Sequence, residues 1–194
     1  MRATQIRLED AERITREPSF RKNKGLGNEV GYYVFDYPPK DELIVREWVR
    51  YWQGKNNPDV DGYRLIVFDL FDIMIDMLEK DGFLEQCYRF EEKHGIDRIV
   101  KAVGRMLRLS DDDGGLIVEH IRDRTPDNAI VFLTGVGKCY PVLRAHKILN
   151  NLHQTLDSVP VVMLYPGRYD GQELMLFGSI KDDNYYRAFR LVEN

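Results

Sequence analysis

The chain has 194 residues, of which 43% are hydrophobic and 31% charged, a composition typical of one globular domain with a buried core. Its formal net charge of −4 argues against a protein that coats nucleic acid, because phosphate contacts need clustered lysines and arginines. No apolar signal segment follows Met1 and no apolar run reaches membrane length, so a soluble cytoplasmic protein is expected.

The N-terminal segment is predicted to form a short amphipathic helix over about residues 4–17, followed by a basic loop. Residues 1–28 are therefore expected to be an appendage of a single domain spanning 1–194. The loop allows two interpretations, a solvated linker or an arm that contacts phosphate or a partner. The candidate DNA contacts are Arg21, Lys22, Lys24, Arg105 and Arg108.

Apolar segments alternate with helical ones along the rest of the chain. Strands are predicted at 30–37, 64–69, 129–133 and 159–164. Helices are predicted from Asp41 to about 53, over 70–80, over 83–108 with an interruption at Gly95, to about 122, and from Pro141 to about 156. This alternation predicts an α/β fold with a mostly parallel central sheet flanked by helices on both faces. Segments 174–177 and 186–191 are predicted to close it as an antiparallel pair.

One turn looks like a degenerate phosphate-binding loop. Thr134-Gly135-Val136-Gly137-Lys138 follows a strand and precedes a helix, as such loops do. A Walker loop, however, has four residues between its first glycine and Gly-Lys, then Ser or Thr. A tight turn is the favoured interpretation, and weak anion binding by Gly135, Gly137 and Lys138 is the alternative.

No other set of residues forms a complete catalytic or metal-binding motif. Asp69 ends an apolar strand as a magnesium-binding aspartate does, but without a Walker loop a helix cap is favoured. Cys87 and Cys139 stand alone, which predicts reduced thiols in or near the core. We therefore expect no enzyme activity and no cofactor.

Tyrosine and arginine cluster near the C-terminus, beginning where the fourth predicted strand ends. Ligands of open α/β sheets bind at that edge, and tyrosine and arginine are frequent in interface hot spots. The charged residues are expected to be exposed for a partner or internally paired, for instance Asp170 with Arg144 or Arg187. The candidate partner-binding residues are Arg144, Tyr165, Arg168, Tyr169, Asp170, Tyr185 and Arg187.

Several linked motifs in this region resemble the BrxB family, a small component of bacterial BREX (bacteriophage exclusion) systems. They are Ile130-Val131-Phe132-Leu133-Thr134-Gly135-Val136-Gly137, Tyr140-Pro141, Arg144-Ala145-His146, Leu149-Asn150-Asn151-Leu152, Tyr165-Pro166-Gly167-Arg168-Tyr169-Asp170-Gly171, Leu176-Phe177-Gly178 and Asp183-Asn184-Tyr185-Tyr186-Arg187-Ala188-Phe189. A looser pattern, Phe35-Asp36-Tyr37-Pro38 before an apolar helix, extends the resemblance over nearly the whole chain.

The resemblance implies a non-catalytic subunit that helps to recognise and block phage DNA through other BREX components. Those components include an alkaline-phosphatase-like protein, a DNA methyltransferase and a large ATPase, so contact with DNA would be indirect. The alternative is a degenerate nucleotide-binding protein that retains weak phosphate binding at Gly135–Lys138.

Overall fold

The computed structural model describes residues 3–21, 31–110, 115–182 and 188–193. The strands in these residues are β1 (Tyr32–Tyr37), β2 (Arg64–Asp69), β3 (Ala129–Thr134), β4 (Val161–Tyr169), β5 (Leu174–Leu176), β6 (Ile180–Asp182) and β7 (Phe189–Arg190). The helices are α1 (Thr4–Arg16), α2 (Pro18–Arg21), α3 (Glu42–Lys55), α4 (Pro58–Asp61), α5 (Leu70–Lys80), α6 (Leu84–His94), α7 (Ile96–Met106), α8 (Gly115–Asp123), α9 (Val136–Cys139) and α10 (Ala145–Thr155), with a 3₁₀ turn at Pro39–Asp41.

The central sheet is parallel. Its strands lie in the order β2-β3-β4-β1-β7, and each neighbouring pair runs in the same direction. The carboxyl ends of these strands therefore meet at one edge of the sheet, called here the carboxyl edge. The predicted mostly parallel α/β fold is confirmed.

Helices cover both faces of the sheet, which explains why its strands are continuously apolar. Val131 and Leu133 of β3 point into a core formed with α5, α7, α8 and α10. Ile130 and Phe132 point the opposite way, into a core formed with α1 and α3. Side chains alternate along a strand, so covering both faces requires apolar residues at every position.

The first helix is integrated into the domain. Leu8 and Ala11 of α1 are buried in the same core as Trp52 of α3. Arg7 is also buried and pairs with Asp36 of β1. The prediction that residues 1–28 form an appendage is therefore wrong for the helical part, while 22–28 lie outside the described residues.

An antiparallel element is present near the C-terminus, but its strands differ from the predicted pair. β5 pairs with the outer half of β4, with Leu176 opposite Gly167, and β6 pairs with β5. β7 instead runs parallel to β1 at the edge of the sheet. The pairing of 174–177 with 186–191 was wrong because β4 extends to Tyr169, beyond its neighbours, and provides an edge on which β5 folds back.

Two helix predictions have different outcomes. The expected interruption at Gly95 is confirmed, since this residue has a φ of +76° and separates α6 from α7. The helix predicted to start at Pro141 starts at Ala145 instead, because the N–H groups of Val142 and Leu143 both donate to Cys139 O in a turn. Among the described residues, no helix has the length and apolar character that crossing a membrane would need.

Candidate functional site

A charged cluster lies at the carboxyl ends of β2 and β3. The Asp69 carboxylate accepts hydrogen bonds from the N–H groups of Phe71 and Asp72 at 3.0 and 3.2 Å, which confirms its predicted role as the cap of α5. Lys138 Nζ lies 2.7 Å from Asp69 Oδ2 and 3.3 Å from Asp72 Oδ1. The lysine of the degenerate loop is thus paired with two carboxylates of its own chain.

The two glycines of this loop accommodate other side chains of the protein. Gly135 has a φ of +73°, and a Cβ at this position would overlap the Asp69 carboxylate. A Cβ at Gly137 would lie 2.9 Å from the Phe177 ring and 3.1 Å from Pro166 Cγ. These contacts place the turn that follows β3 against β4 and against the turn between β5 and β6. They also show that the turn is filled from within the chain.

This packing bears on the predicted anion site at Gly135, Gly137 and Lys138. A phosphate entering the turn would meet the Asp69 carboxylate, which has like charge, and would compete with it for Lys138. The following helix, α9, has only one turn and offers little of the helix dipole on which phosphate loops depend. The geometry therefore favours a structural turn over an anion site.

We expect calorimetric titration of the protein with ATP and magnesium to give no saturable heat up to millimolar nucleotide. The physical reason is the internal pairing of Lys138 with Asp69 and Asp72. The variants Lys138→Ala and, as a control elsewhere, Lys147→Ala should behave identically. Saturable binding by the wild type that disappears only in Lys138→Ala would contradict this expectation.

A groove of about 500 Å³ runs along the outer edge of β2, between α3 and α5. Its lining includes the Asp69–Lys138 pair and a second network on α3. In that network Glu42 accepts from Arg46 Nε at 2.7 Å and from the Tyr37 hydroxyl at 2.6 Å. Because acidic and basic side chains line the groove in similar numbers, neither sign of charge dominates it.

A second pocket, of about 430 Å³, opens between the carboxyl ends of β1 and β4. Two of its lining residues, Arg7 (1% exposed) and Asp36 (3% exposed), form a 2.8 Å ion pair. Arg168, which also lines the pocket, is exposed and has no hydrogen-bond or ion-pair partner among the described residues. α3 leaves β1 toward one face while α5 and α10 cover the other, so this pocket lies at the topological switch point where α/β sheets bind ligands.

Tyr165 and Tyr169 are buried, at 2% and 1% exposure, so their prediction as direct partner contacts is corrected. The Tyr169 hydroxyl donates to Ala188 O at 2.6 Å, and its N–H donates to Asp36 Oδ2 at 3.0 Å. Arg190 in turn donates to Tyr169 O. These residues hold β4 against β1 and the C-terminal segment, which is a structural role.

The remaining predicted contacts fall into three groups. Arg144 and Arg168 are exposed and have no partner among the described residues. Asp170 accepts backbone N–H groups from Glu173 and Gln172 at 2.7 and 2.8 Å, which lowers the pKa of its carboxyl. The expected ion pair of Asp170 with Arg144 is absent from the described part of the chain. Tyr185 and Arg187 lie outside it.

The residues proposed for DNA contact do not form a basic arm in the part of the chain that is described. Arg21 donates to Asp61 O and lies over the Tyr63 ring, 5.4 Å from its centroid. Arg108 lies 3.6 Å from Glu119, and Arg105 donates to Lys101 O at 3.3 Å. Lys22 and Lys24 lie outside the described residues.

The thiols and one histidine were also candidates for chemistry. Both cysteines are free and buried, as predicted, and burial raises the pKa of Cys139 to about 12. Burial also raises the pKa of Cys87, so neither thiol forms the reactive thiolate readily. Burial, assisted by Arg124 and Lys80, lowers the pKa of His120 below its usual value. No group of three or more His, Cys, Asp or Glu residues is arranged to hold a metal ion in the described ranges.

Sequence reasoning missed Phe177 as a site residue. It occupies the turn between β5 and β6, where Ser179 N–H donates to Leu176 O at 3.1 Å. Phe177 and Gly178 have φ values of +53° and +74°, the signs that a type I′ turn requires. Such turns prefer Asn-Gly, and a bulky residue at positive φ costs about 1–3 kcal/mol. In the sequence, the Phe-Gly pair between two apolar segments was the feature that could have indicated a tight turn at this position.

Comparison with known proteins identifies the family of this chain. The family model described as BREX protein BrxB matches residues 66–191. A BREX protein BrxB of Bacillus cereus (strain H3081.97) is 49% identical over 193 residues and covers 100% of both chains. The chain belongs to the BrxB family. A BREX protein BrxB of Escherichia coli O9:H4 (strain HS) is 34% identical over 191 residues, covering 97% of this chain and 91% of that one. No solved structure matches the chain significantly.

Membership confirms the resemblance that the C-terminal motifs predicted. A BrxB-family chain is a BREX protein, which implies a role in phage defence together with other BREX proteins. The family match spans the carboxyl ends of β2, β3 and β4, so the Asp69–Lys138 pair and the Phe177 turn both lie within it.

Proposed function

We propose that this protein is a non-catalytic subunit of a BREX phage-defence assembly and acts by binding other BREX components. The observation that carries the proposal is the internal filling of the degenerate phosphate loop by Asp69 and Phe177. Because side chains of the same protein fill this turn, a nucleotide has no room to bind there. The turn can instead form part of a surface that contacts another protein. The candidate partners are the alkaline-phosphatase-like protein, the DNA methyltransferase and the large ATPase, with DNA contacted only through them.

The carboxyl edge of the sheet is the surface that we expect to bind the partner. Arg144 and Arg168 are exposed there without partners among the described residues, so their guanidinium groups are available to carboxylates of another protein. By contrast, Lys138 is already paired within the chain. Arginine is enriched in interface hot spots, where its planar fork forms paired hydrogen bonds.

Replacing Arg168 with alanine should weaken capture of BREX components while leaving the fold intact. The stability change should stay within about 0.5 kcal/mol because the side chain is exposed and contacts no partner in the part of the chain that is described. The experiment is affinity purification of the tagged protein from cells expressing the whole BREX operon, with quantification of each co-purified component and a phage-plating assay. Arg13→Ala, at an exposed arginine on α1, is the control.

Two outcomes are informative against the proposal. A wild-type protein that captures no BREX component would contradict the subunit role itself. Equal capture and equal phage protection by wild type and Arg168→Ala would be compatible with the subunit role. They would show that Arg168 is not part of the partner-binding surface.

A further inference from the structure

The tight turn between β5 and β6 presents an aromatic side chain in a backbone conformation that such a side chain disfavours. Phe177 has a φ of +53° and is followed by Gly178 at +74°, so both central turn residues are left-handed. Asparagine and glycine adopt this conformation with little strain, whereas phenylalanine does not. Backbone strain of this kind is concentrated at functional sites, where a side chain has to be held in one place.

Backbone hydrogen bonds and close packing fix the position of the turn against β4. Phe177 N–H donates to Pro166 O at 2.9 Å, and Gly178 N–H donates to Met175 O at 3.4 Å. A Cβ at Gly167 would overlap Met175 O, so the hairpin approaches β4 more closely than another residue at that position would permit. Gly137 similarly leaves room for one side of the Phe177 ring. The chain therefore positions this ring through several independent contacts.

Part of the ring nevertheless remains in water. Phe177 is 43% exposed, although each neighbouring residue of β5 is more enclosed. Burying the ring completely within the domain would have been favourable, since apolar area removed from water stabilises at about 25 cal/mol per Å². A strained, fixed and half-exposed aromatic side chain has the properties of an interface anchor, which inserts without a large loss of conformational entropy.

Two exposed arginines lie near the hairpin, in different pockets. Arg168 and Gly178 line the pocket between β1 and β4, whereas Arg144 lines a different small pocket together with Leu176 and Ile180. Neither guanidinium has a partner among the described residues. An apolar tip with an exposed arginine on each side is complementary to an apolar pocket that has carboxylates at its rim.

We propose that Phe177 is the anchor by which this protein docks a partner protein, inserting into an apolar pocket whose rim carries carboxylates facing Arg144 and Arg168. This inference rests on the proposed subunit function and specifies its contact. The partner's pocket would bury the exposed side of the ring. Its carboxylates would provide the counter-charge that neither arginine finds among the described residues.

The decisive variant is Phe177→Asn, because asparagine suits the first central position of a type I′ turn. We expect its thermal midpoint to remain within about 4 °C of wild type, since relief of strain offsets the lost ring contacts. Recovery of BREX components from operon-expressing cells should fall at least about tenfold, the effect of losing a hot-spot residue. Phe177→Tyr should retain both stability and recovery. Tyr88→Asn, at an aromatic residue of α6 that is 56% exposed, is the matched control and should also retain them.

The charged rim is tested by Arg144→Glu with Arg168→Glu, which should abolish recovery at a salt concentration where wild type is still captured. A midpoint that falls by more than about 4 °C in Phe177→Asn would show that the ring is internal packing, and would overturn the proposal. If wild type and Phe177→Asn recovered BREX components equally well, the anchor proposal would be overturned. The subunit function would still be supported, because wild type captures those components. Failure of wild type to capture any BREX component would instead remove the subunit function itself.

Discussion

Replacing Arg7 with methionine should lower the free energy of unfolding by about 3–5 kcal/mol, because it leaves a buried carboxylate without its counter-charge. Arg7 and Asp36 are 1% and 3% exposed and pair at 2.8 Å. The same guanidinium donates to Asp36 O at 2.7 Å and to Val192 O at 3.3 Å, so it joins α1, β1 and the C-terminal segment. Unfolding in urea, monitored by circular dichroism, measures the loss.

The double variant Arg7→Met with Asp36→Asn should recover much of that stability, since it removes both buried charges together. The asparagine oxygen can still accept the Tyr169 N–H that Asp36 accepts at 3.0 Å. Arg13→Met is the control, because Arg13 is exposed on the same helix and should change stability by no more than about 0.5 kcal/mol. A single Arg7 variant as stable as this control would show that the buried pair contributes nothing net to the fold.

Replacing Tyr169 with alanine should cost about 3–5 kcal/mol, the usual price of truncating a large aromatic side chain in a packed core. The residue is 1% exposed, and its hydroxyl donates to Ala188 O at 2.6 Å. For a chain of this size the thermal midpoint should fall by about 10 °C, which differential scanning fluorimetry would detect. Tyr169→Phe should lose only about 1–3 kcal/mol, because the ring stays while Ala188 O loses a donor.

This expectation differs from the one that exposure of the whole Arg168-Tyr169-Asp170 motif would give. If all three side chains faced a partner, alanine at both Arg168 and Tyr169 would abolish phage protection and leave the midpoint within a few degrees. In the structure Arg168 is exposed whereas Tyr169 is buried. Arg168→Ala should therefore be nearly neutral for stability, and the double variant should be as unstable as Tyr169→Ala. A stable Tyr169→Ala variant would contradict the structural role assigned to this tyrosine.

Local sequence patterns were sufficient to predict the parallel sheet and the N-terminal cap of one helix. The continuous apolar runs at β2, β3 and β4 required cover on both faces, and alternating helices supplied it, so a parallel sheet followed directly. Asp69 was correctly predicted as a cap, because an aspartate between a strand and a helix can accept the free N–H groups of the first turn. The ordered C-terminal motifs likewise indicated the family that the comparisons confirmed.

Only the tertiary structure decided which polar and aromatic residues face water. Tyr169 and Arg168 are adjacent in sequence, but alternation along β4 turns one into the core and the other outward. Arg7 and Asp36 are 29 residues apart and pair because α1 packs across β1, a contact that no local pattern encodes. The glycines of the degenerate loop are explained by Asp69 and Phe177, which reach them from other segments of the chain. The sequence by itself determined the strands of the central sheet and the family, whereas the C-terminal hairpin and the assignment of core, ion pair and surface depended on long-range packing between segments.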